Sequence, residues 1–231
     1  MTLSSVSLNH GVARVDLELT DAQESAVRDL ARSFDTAEAG ELNAIELHAA
    51  FMQHCVKRGD SSAALAVFDS FCRMYSTAAI DIHVSVQAQG LDEPAVCRVL
   101  KGYFSAWPIV TSRRGSLAWP VAPAPALLTT ATAGSPRLMA MFGGQRGVGS
   151  YFGETGWLFD VYCPLLLDFV SHMSVFLHRE SQDRRISRLY PKGLSAFQWL
   201  TIDGAMPDEP YLLSMPVCLP LVGLTQLMHV M

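Results

Sequence analysis

The sequence predicts an α/β protein that is rich in helix, in which a helical N-terminal arm precedes the opening strand, loop and helix of an α/β core. Three observations carry this prediction. Apolar and polar residues alternate over 12–19, stretches with helical periodicity follow over 20–104, and a short apolar run over 138–142 leads into a glycine-rich loop. The chain has 231 residues, of which 50% are hydrophobic, so it can fill a sizeable core.

The N-terminal arm, predicted over 1–106, begins with one early strand. Over 12–19 apolar residues fall at every second position, which is typical of a strand that is buried on one face. Thr20 and Gln23 then have the spacing of a capping box, so a helix is predicted over 20–34.

Four further helices are predicted in the arm, because apolar residues recur there at helical spacing. They cover 41–58, 60–75, 81–88 and 94–104. Gly59 suits the C-terminal end of the first of them, and Asp60 and Ser61 are suitable caps for the second. Pro94 suits the first turn of the last one.

A linker is predicted over 107–136, where Pro, Ala and Thr are frequent. The remaining segment, 137–231, is predicted to be the N-terminal part of an α/β domain. It opens with the apolar run 138–142, which suits a buried parallel strand. Pro164 should kink or divide the helix that follows the glycine loop. The core face of that helix is predicted to comprise Trp157, Leu158, Val161, Leu165 and Phe169.

The C-terminal stretch 211–231 contains no Asp, Glu, Lys or Arg and is long enough to be tested as a membrane span. Pro216 and Pro220 interrupt it and no basic residues flank it, so a buried core helix that starts after Pro220 is favoured. Because this apolar run ends without a polar cap, we expect the core to continue in chain beyond Met231.

Charge and motif content argue against several classes of function. A net charge of −5 gives no basic surface for nucleic acid, and no secretory signal is present, so a cytoplasmic protein is predicted. The five cysteines are widely spaced without a C-x-x-C pair, which indicates reduced core thiols. No zinc-type spacing of His and Cys occurs, so no metal site is predicted. The charged fraction of 17% is low and hints at a larger assembly.

The loop F-G-G-Q-R-G-V-G-S-Y-F invites a nucleotide-binding interpretation, since backbone N–H groups at a strand-to-helix turn can hold anions. Its glycines do not have the dinucleotide spacing, and no Lys-Ser/Thr pair completes a phosphate loop, so a tight turn is favoured. The chain contains no G-x-S-x-G elbow, and no Ser or Cys stands at a strand-to-helix turn beside an evident His partner. No complete catalytic site is therefore predicted.

Five strings carry a resemblance to a known family. They are, in order, L-M-A-M-F-G-G-Q, Y-F, L-F-D-V-Y, K-G-L-S-A-F-Q-W-L and P-D-E-P-Y-L-L-S-M-P-V-C-L-P-L-V-G-L-T-Q-L. In order and separation they resemble the N-terminal acetyltransferase region of the fungal type I fatty acid synthase β subunit. That region moves an acetyl group from coenzyme A to the acyl carrier protein. The match is strongest from Leu138 to His229 and makes 137–231 the incomplete N-terminal part of an acyltransferase α/β domain.

The resemblance implies a role for the glycine loop. It makes the backbone N–H of Gln145 one half of an oxyanion hole, within a loop formed by Gly143, Gly144, Arg146 and Gly147. The family usually has glycine where this chain has Arg146, which puts a bulky cation beside that position. The family's nucleophile and base lie beyond the stretch that corresponds to Met231. No catalytic nucleophile or base is thus expected in this chain, which is predicted to be inactive alone.

The resemblance also implies partners and substrates. The partners would be the acyl carrier protein and other synthase chains in a hetero-oligomeric complex. No cofactor is expected to bind this segment, and acetyl-CoA would be a substrate of the complete domain. Two alternatives remain open: a non-catalytic structural or assembly module of the synthase, and a starter-unit acyltransferase fragment of a polyketide-linked synthase.

Overall fold

A computed structural model of the chain describes residues 3–34, 42–75, 82–114 and 151–229. The chain divides into two compact units, Met1–Met139 and Ala140–Met231. As predicted, the described part is a helix-rich α/β fold, and its sheet consists of two antiparallel strands.

The first unit begins with a β-hairpin formed by β1 (Leu3–His10) and β2 (Ala13–Thr20). Gly11, with φ of +55°, lies in the turn, where this backbone conformation favours glycine. Alternate residues of β2 are buried, so the predicted strand is confirmed. Its partner β1 was not predicted, because its serines weaken the apolar alternation on which a sequence-based prediction depends.

Six helices follow in the described residues of the first unit. They are α1 (Asp21–Arg32), α2 (Ala44–Lys57), α3 (Ser61–Tyr75), α4 (Ile82–Gln87), α5 (Glu93–Ser105) and α6 (Trp107–Arg114). The capping box of α1 is confirmed, since Thr20 N donates to Gln23 Oε1 at 3.1 Å. Gly59, with φ of +73°, ends α2 as predicted. Asp60 caps α3, accepting from Ala63 N at 2.9 Å.

Two boundaries of this unit differ from the predicted ones by more than two residues. The N-terminal cap of α2 is Asn43, whose side chain accepts from Glu46 N while Glu46 Oε2 accepts from Asn43 N, both at 3.0 Å. The sequence-based start at residue 41 lies outside the described residues. In addition, the first residues of the predicted linker 107–136 are helical, since they form α6. The domain boundaries otherwise stay a prediction.

The core of the first unit lies where α2 packs against α3 and α5. Gly102 of α5 permits the closest of these approaches, since a Cβ atom at this position would lie 2.5 Å from the carbonyl oxygen of Ala49. Beside it, Arg98 Nη2 donates to Glu46 Oε1 at 2.6 Å and ties α5 to the first turn of α2. The largest fully buried side chains of this unit include Phe51, Phe71, Phe104, Leu47 and His48.

The described part of the second unit is helical. It contains α7 (Tyr151–Ser181), a 3₁₀ turn (Ser187–Leu189), α8 (Ala196–Thr201), α9 (Glu209–Leu213) and α10 (Met215–Met228). The predicted kink of α7 is confirmed, since Tyr162 has non-helical angles (φ −108°, ψ 21°) just before Pro164. A proline lacks the N–H for the helical ladder and clashes with the preceding turn, which accounts for the kink.

The predicted core face of α7 is partly wrong. Leu158 and Val161 are buried, whereas Trp157 and Leu165 are 38% and 36% exposed. Past the kink the buried positions move along by one residue, to Leu166 and Val170. Phe169 is partly buried and packs against the core, so a single helical period drawn through Pro164 displaces the core face of the second half by about one residue.

The C-terminal helix also differs from its prediction, since α10 begins at Met215 rather than after Pro220. Pro216 stands in its first turn, where a missing N–H removes no helical bond. Pro220 lies inside the helix and leaves one rung of the ladder unmade. The predicted burial is confirmed on one face, formed by Val217, Cys218, Leu221, Leu224, Thr225 and Met228.

Within the described residues, one helix is long and apolar enough to cross a membrane, and it is α7 rather than the C-terminal helix. This is weak evidence of a span, because the core helix of a soluble protein passes the same test.

Candidate functional site

The predicted oxyanion loop, Gly143, Gly144, Gln145, Arg146 and Gly147, lies outside the described residues, and so does the predicted strand 138–142. The description resumes at Tyr151, the first residue of α7, shortly after Gly147 in the chain. The surroundings of that helix start are therefore the described region closest in sequence to the predicted site.

A groove lies at the start of α7 and is called here the α7 groove. Its volume is about 480 Å³, within the range of small-molecule pockets. It is lined by Tyr151, Phe152, Gly153, Gly156, Trp199, Leu200, Met206, Pro207, Glu209, Leu212 and Leu213. Part of the string that carried the family resemblance, P-D-E-P-Y-L-L, thus forms one of its walls.

Hydrogen bonds and ring contacts hold the aromatic side of the α7 groove in place. The hydroxyl of Tyr151 donates to the carbonyl oxygen of Leu212 at 2.6 Å, which joins α7 to α9. The rings of Phe152 and Trp199 meet edge to face at 6.1 Å, and Trp199 meets Tyr211 at 6.4 Å. Burial raises the pKa of the Tyr151 phenol above its ordinary value, so this hydroxyl remains a donor.

The chemistry of the α7 groove is that of binding. Gly153 and Gly156 face open space, since a Cβ at either position would meet no atom within 4 Å. Among the described residues that line it, Glu209 is the one acidic residue, and none is a Ser, Cys or His that could attack a carbonyl carbon. The described lining can hold an apolar group beside a carboxylate.

A second cavity of the same unit contains a pair that the sequence analysis missed. Ser195 Oγ lies 3.0 Å from His178 Nδ1, although the two residues are 17 positions apart in the chain. The sequence analysis considered only a Ser or Cys at a strand-to-helix turn, and it found none there with a His partner. Ser195 instead precedes the short helix α8, and His178 lies near the end of α7, so the pair becomes visible once the helices are packed.

The described metal-ligating side chains and cysteines form neither a metal site nor a disulfide. In the ranges that the structure describes, no three His, Cys, Asp or Glu side chains are grouped to hold a metal ion. All five cysteines lie in those ranges and form no disulfide. Burial raises the pKa of the Cys55 thiol to about 12, so this residue is a core thiol and a poor nucleophile.

Comparison with known proteins gives a consistent set of relatives, while no protein-family model matches the chain. It is 38% identical over 152 residues to the fatty acid synthase subunit beta of Schizosaccharomyces pombe, covering 64% of this chain and 7% of the relative. It is 33% identical to the fatty acid synthase beta subunit aflB of Emericella nidulans, with 64% and 7% covered. The fatty acid synthase subunit beta of Saccharomyces cerevisiae is 34% identical over 107 residues, with 45% and 5% covered.

The chain is therefore similar over part of its length to fatty acid synthase β subunits. More particularly, the relatives are β subunits of fungi, and the coverage is consistent with a fragment of such a subunit. The chain spans about 7% of the length of the first two relatives, so what a whole β subunit does is a matter of proposal for this chain.

Proposed function

We propose that the chain is the N-terminal part of the acetyltransferase region of a fungal fatty acid synthase β subunit. In that role it contributes to the transfer of an acetyl group from acetyl-CoA to the acyl carrier protein, in fatty acid biosynthesis in the cytoplasm. The ordered strings between Leu138 and His229 carry the proposal, together with the 38% identity to the fission-yeast β subunit. The proposed partners are the acyl carrier protein and the other synthase chains.

Within this function the glycine loop supplies an electrostatic contribution. The backbone N–H of Gln145 donates to the oxygen that becomes negative in the tetrahedral intermediate of acyl transfer. Arg146 lies next to this donor, where the family usually has glycine. The α7 groove follows the loop in the chain, and its apolar lining suits the uncharged part of a thioester substrate.

The test is a chimaeric fission-yeast β subunit in which this chain replaces the homologous segment. Because the proposed donor is a backbone N–H, Gln145→Pro removes it while Gln145→Ala retains it. We expect Gln145→Pro to lower acetyl transfer to the carrier protein by roughly 100-fold or more, and Gln145→Ala to lower it little. Equal activity of the two variants would contradict the assigned role of this amide.

Two further measurements complete the test. Arg146→Gly should raise the activity of the chimaera if the arginine side chain crowds the donor. The isolated chain, incubated with radiolabelled acetyl-CoA and carrier protein, should transfer no label, because it has no G-x-S-x-G elbow. Stoichiometric transfer by the isolated chain would contradict the proposal that this chain lacks the nucleophile and the base.

One observation favours a second candidate, a non-catalytic assembly module of the synthase. The face of α10 that points away from the core is apolar, with Met215 60%, Leu219 57% and Leu227 40% exposed. A helix that is apolar all round is normally buried, so we expect this face to be covered by another part of the synthase. A chimaera that assembles normally but transfers no acetyl group, even with Arg146→Gly, would favour this candidate.

A further inference from the structure

Ser195 and His178 lie in a cavity of about 780 Å³ in the second unit, separate from the α7 groove. Ser195 Oγ is 3.0 Å from His178 Nδ1, within the distance at which an imidazole can take a proton from a hydroxyl. Val175 and Phe197 give this cavity apolar walls, and Arg179 places a cation beside it. Nothing in the proposed acetyltransferase function uses either member of the pair.

The position of Ser195 in the chain would ordinarily commit its hydroxyl to another task. Ser195 is the N-terminal cap of α8, and a serine there usually accepts a hydrogen bond from the second or third N–H of the helix. Here it makes no such bond. Ser174 Oγ of α7 instead accepts from Phe197 N at 3.0 Å, so this N–H has a partner while the Ser195 hydroxyl faces His178.

The loop that presents Ser195 is held closely against the imidazole. Gly193 has a φ of +68°, which favours glycine, and a Cβ atom on it would lie 3.4 Å from His178 Nδ1, so this loop passes within van der Waals contact of the imidazole. The carbonyl oxygen of Gly193 accepts from the hydroxyl of the buried Tyr211 at 2.6 Å. The bond from Tyr211 holds the loop on which Ser195 stands, and the exposed His178 leaves the pair open to a substrate from solvent.

We propose that Ser195 and His178 form a nucleophile–base pair that accepts an acyl group from small activated carboxylic esters. With the imidazole proton on Nε2, His178 Nδ1 takes the hydroxyl proton as Ser195 Oγ bonds to the carbonyl carbon. The carbon–oxygen bond to the leaving alcohol then breaks, and that oxygen receives the proton from His178. The products are an ester on Ser195 and the free alcohol, and no oxidant or further reactant is needed.

The test uses the full chain and p-nitrophenyl acetate. The release of p-nitrophenol gives the reaction rate, and peptide mapping by mass spectrometry identifies the acetylated residue. We expect one acetyl group on Ser195. Ser195→Ala and His178→Gln should each slow the release by roughly 100-fold, as expected for loss of a nucleophile or of its base. Ser112→Ala is the matched control, because Ser112 is an exposed helical serine of α6 that does not line this cavity and donates to the carbonyl oxygen of Ile109, and its rate should stay within about twofold of wild type.

Mapping in the wild-type chain needs no variant and decides the question even if a variant folds poorly, which circular dichroism would reveal. Acetyl groups found on lysines or the N-terminus but absent from Ser195 would overturn the proposal. Equal rates for wild type and Ser195→Ala would also overturn the proposal. An unchanged rate in His178→Gln would show that His178 does not act as the base. None of these results bears on the acetyltransferase proposal, which is tested at Gln145 with acetyl-CoA.

Discussion

Gly102 marks the point where α5 comes closest to α2. A methyl group at this position would lie 2.5 Å from the carbonyl oxygen of Ala49 and 2.8 Å from its Cβ, so the two helices would have to move apart. We expect Gly102→Ala to lower the free energy of unfolding by roughly 1–3 kcal/mol, as is usual for overpacking. Denaturant unfolding followed by circular dichroism measures this change.

The control for Gly102→Ala is Gly223→Ala in α10. Gly223 is also helical, but no atom lies within 4 Å of where its Cβ would be. Alanine is the better helix former, so this variant should be stabilised by up to about 1 kcal/mol. Destabilisation of both variants to the same degree would mean that the close contact with Ala49 is not the cause.

His48 is the buried imidazole of the first unit. Its Nε2 is 3.1 Å from the carbonyl oxygen of Val67, and its ring meets those of Phe71 and Tyr75 edge to face. Burial lowers the pKa of His48 to about 4, from its ordinary 6.5, and nearby Arg73 lowers it further while the Val67 carbonyl opposes the shift. The folded protein therefore keeps this ring neutral at a pH at which the unfolded chain protonates it.

The sign of the effect on stability follows from proton binding. Between pH 6.5 and pH 4 the unfolded chain binds the proton at residue 48 and the folded chain does not, so stability falls as the pH falls through this window. We expect a loss of about 2 kcal/mol between pH 7 and pH 5, which His48→Phe should remove and His172→Gln at an exposed site should retain. Urea titrations at the two pH values would show it, and identical pH dependence in His48→Phe would contradict it.

The start of α2 is the element that connects local sequence to tertiary packing. Glu46, which is 5% exposed, accepts from Asn43 N at 3.0 Å and from Arg98 Nη2 of α5 at 2.6 Å. One side chain thereby caps its own helix and holds a second one in place. Asn43→Ala removes the reciprocal bond to Glu46 N and should cost about 1 kcal/mol of stability.

Asn43→Asp keeps a side-chain acceptor at the cap, so it is the matched control and should stay close to wild type. Thermal unfolding of the three proteins compares them under one set of conditions. If Asn43→Asp lost as much stability as Asn43→Ala, the side-chain amide nitrogen of Asn43 would be responsible and not the acceptor oxygen that caps α2.

At the scale of elements, most correct predictions came from local signals. The cap at Thr20, the turn at Gly59 and the kink at Pro164 depend on a few neighbouring residues and were predicted correctly. The capping box of Asn43 and Glu46 is a local signal that was missed. The other missed features depend on distant residues. Strand β1 requires its partner β2, and the start of α10 at Met215 tolerates Pro220 because packing on one face of the helix compensates for a lost hydrogen bond.

For the sites, the same distinction holds. The role of Gln145 came from family resemblance and stays a prediction, since its loop lies outside the described residues. The pair of Ser195 and His178 could not be predicted, because each residue is unremarkable in its own stretch of sequence. Its chemistry depends on Ser174 taking over the cap of α8, a contact across 23 positions of the chain.

At the scale of the whole molecule, the apolar outer face of α10 has a consequence for how the chain behaves in solution. Met215 and Leu219 are both more than half exposed, and no charged residue lies within α10. We expect the isolated 25.2 kDa chain to self-associate and to bind a hydrophobic dye, because exposed apolar patches of this kind drive association. Light scattering after size exclusion measures the first property and dye fluorescence the second.

Leu219→Lys should reduce both self-association and dye binding. Val84→Lys is the control, since Val84 is equally exposed, at 57%, but lies on the short helix α4 of the first unit. If the wild-type chain elutes as a monomer and binds no dye, the exposed face of α10 does not drive association.

The kink in α7 divides this helix into two parts with separate supports. The part before Pro164 is joined to α10 through the buried hydroxyls of Thr155 and Thr225, and the part after it to α8 through Ser174. Since the backbone ladder is interrupted between them, opening of one part need not break the amide hydrogen bonds of the other. We therefore expect the amide protons of the two parts to exchange with solvent at different rates, which residue-resolved hydrogen exchange measures.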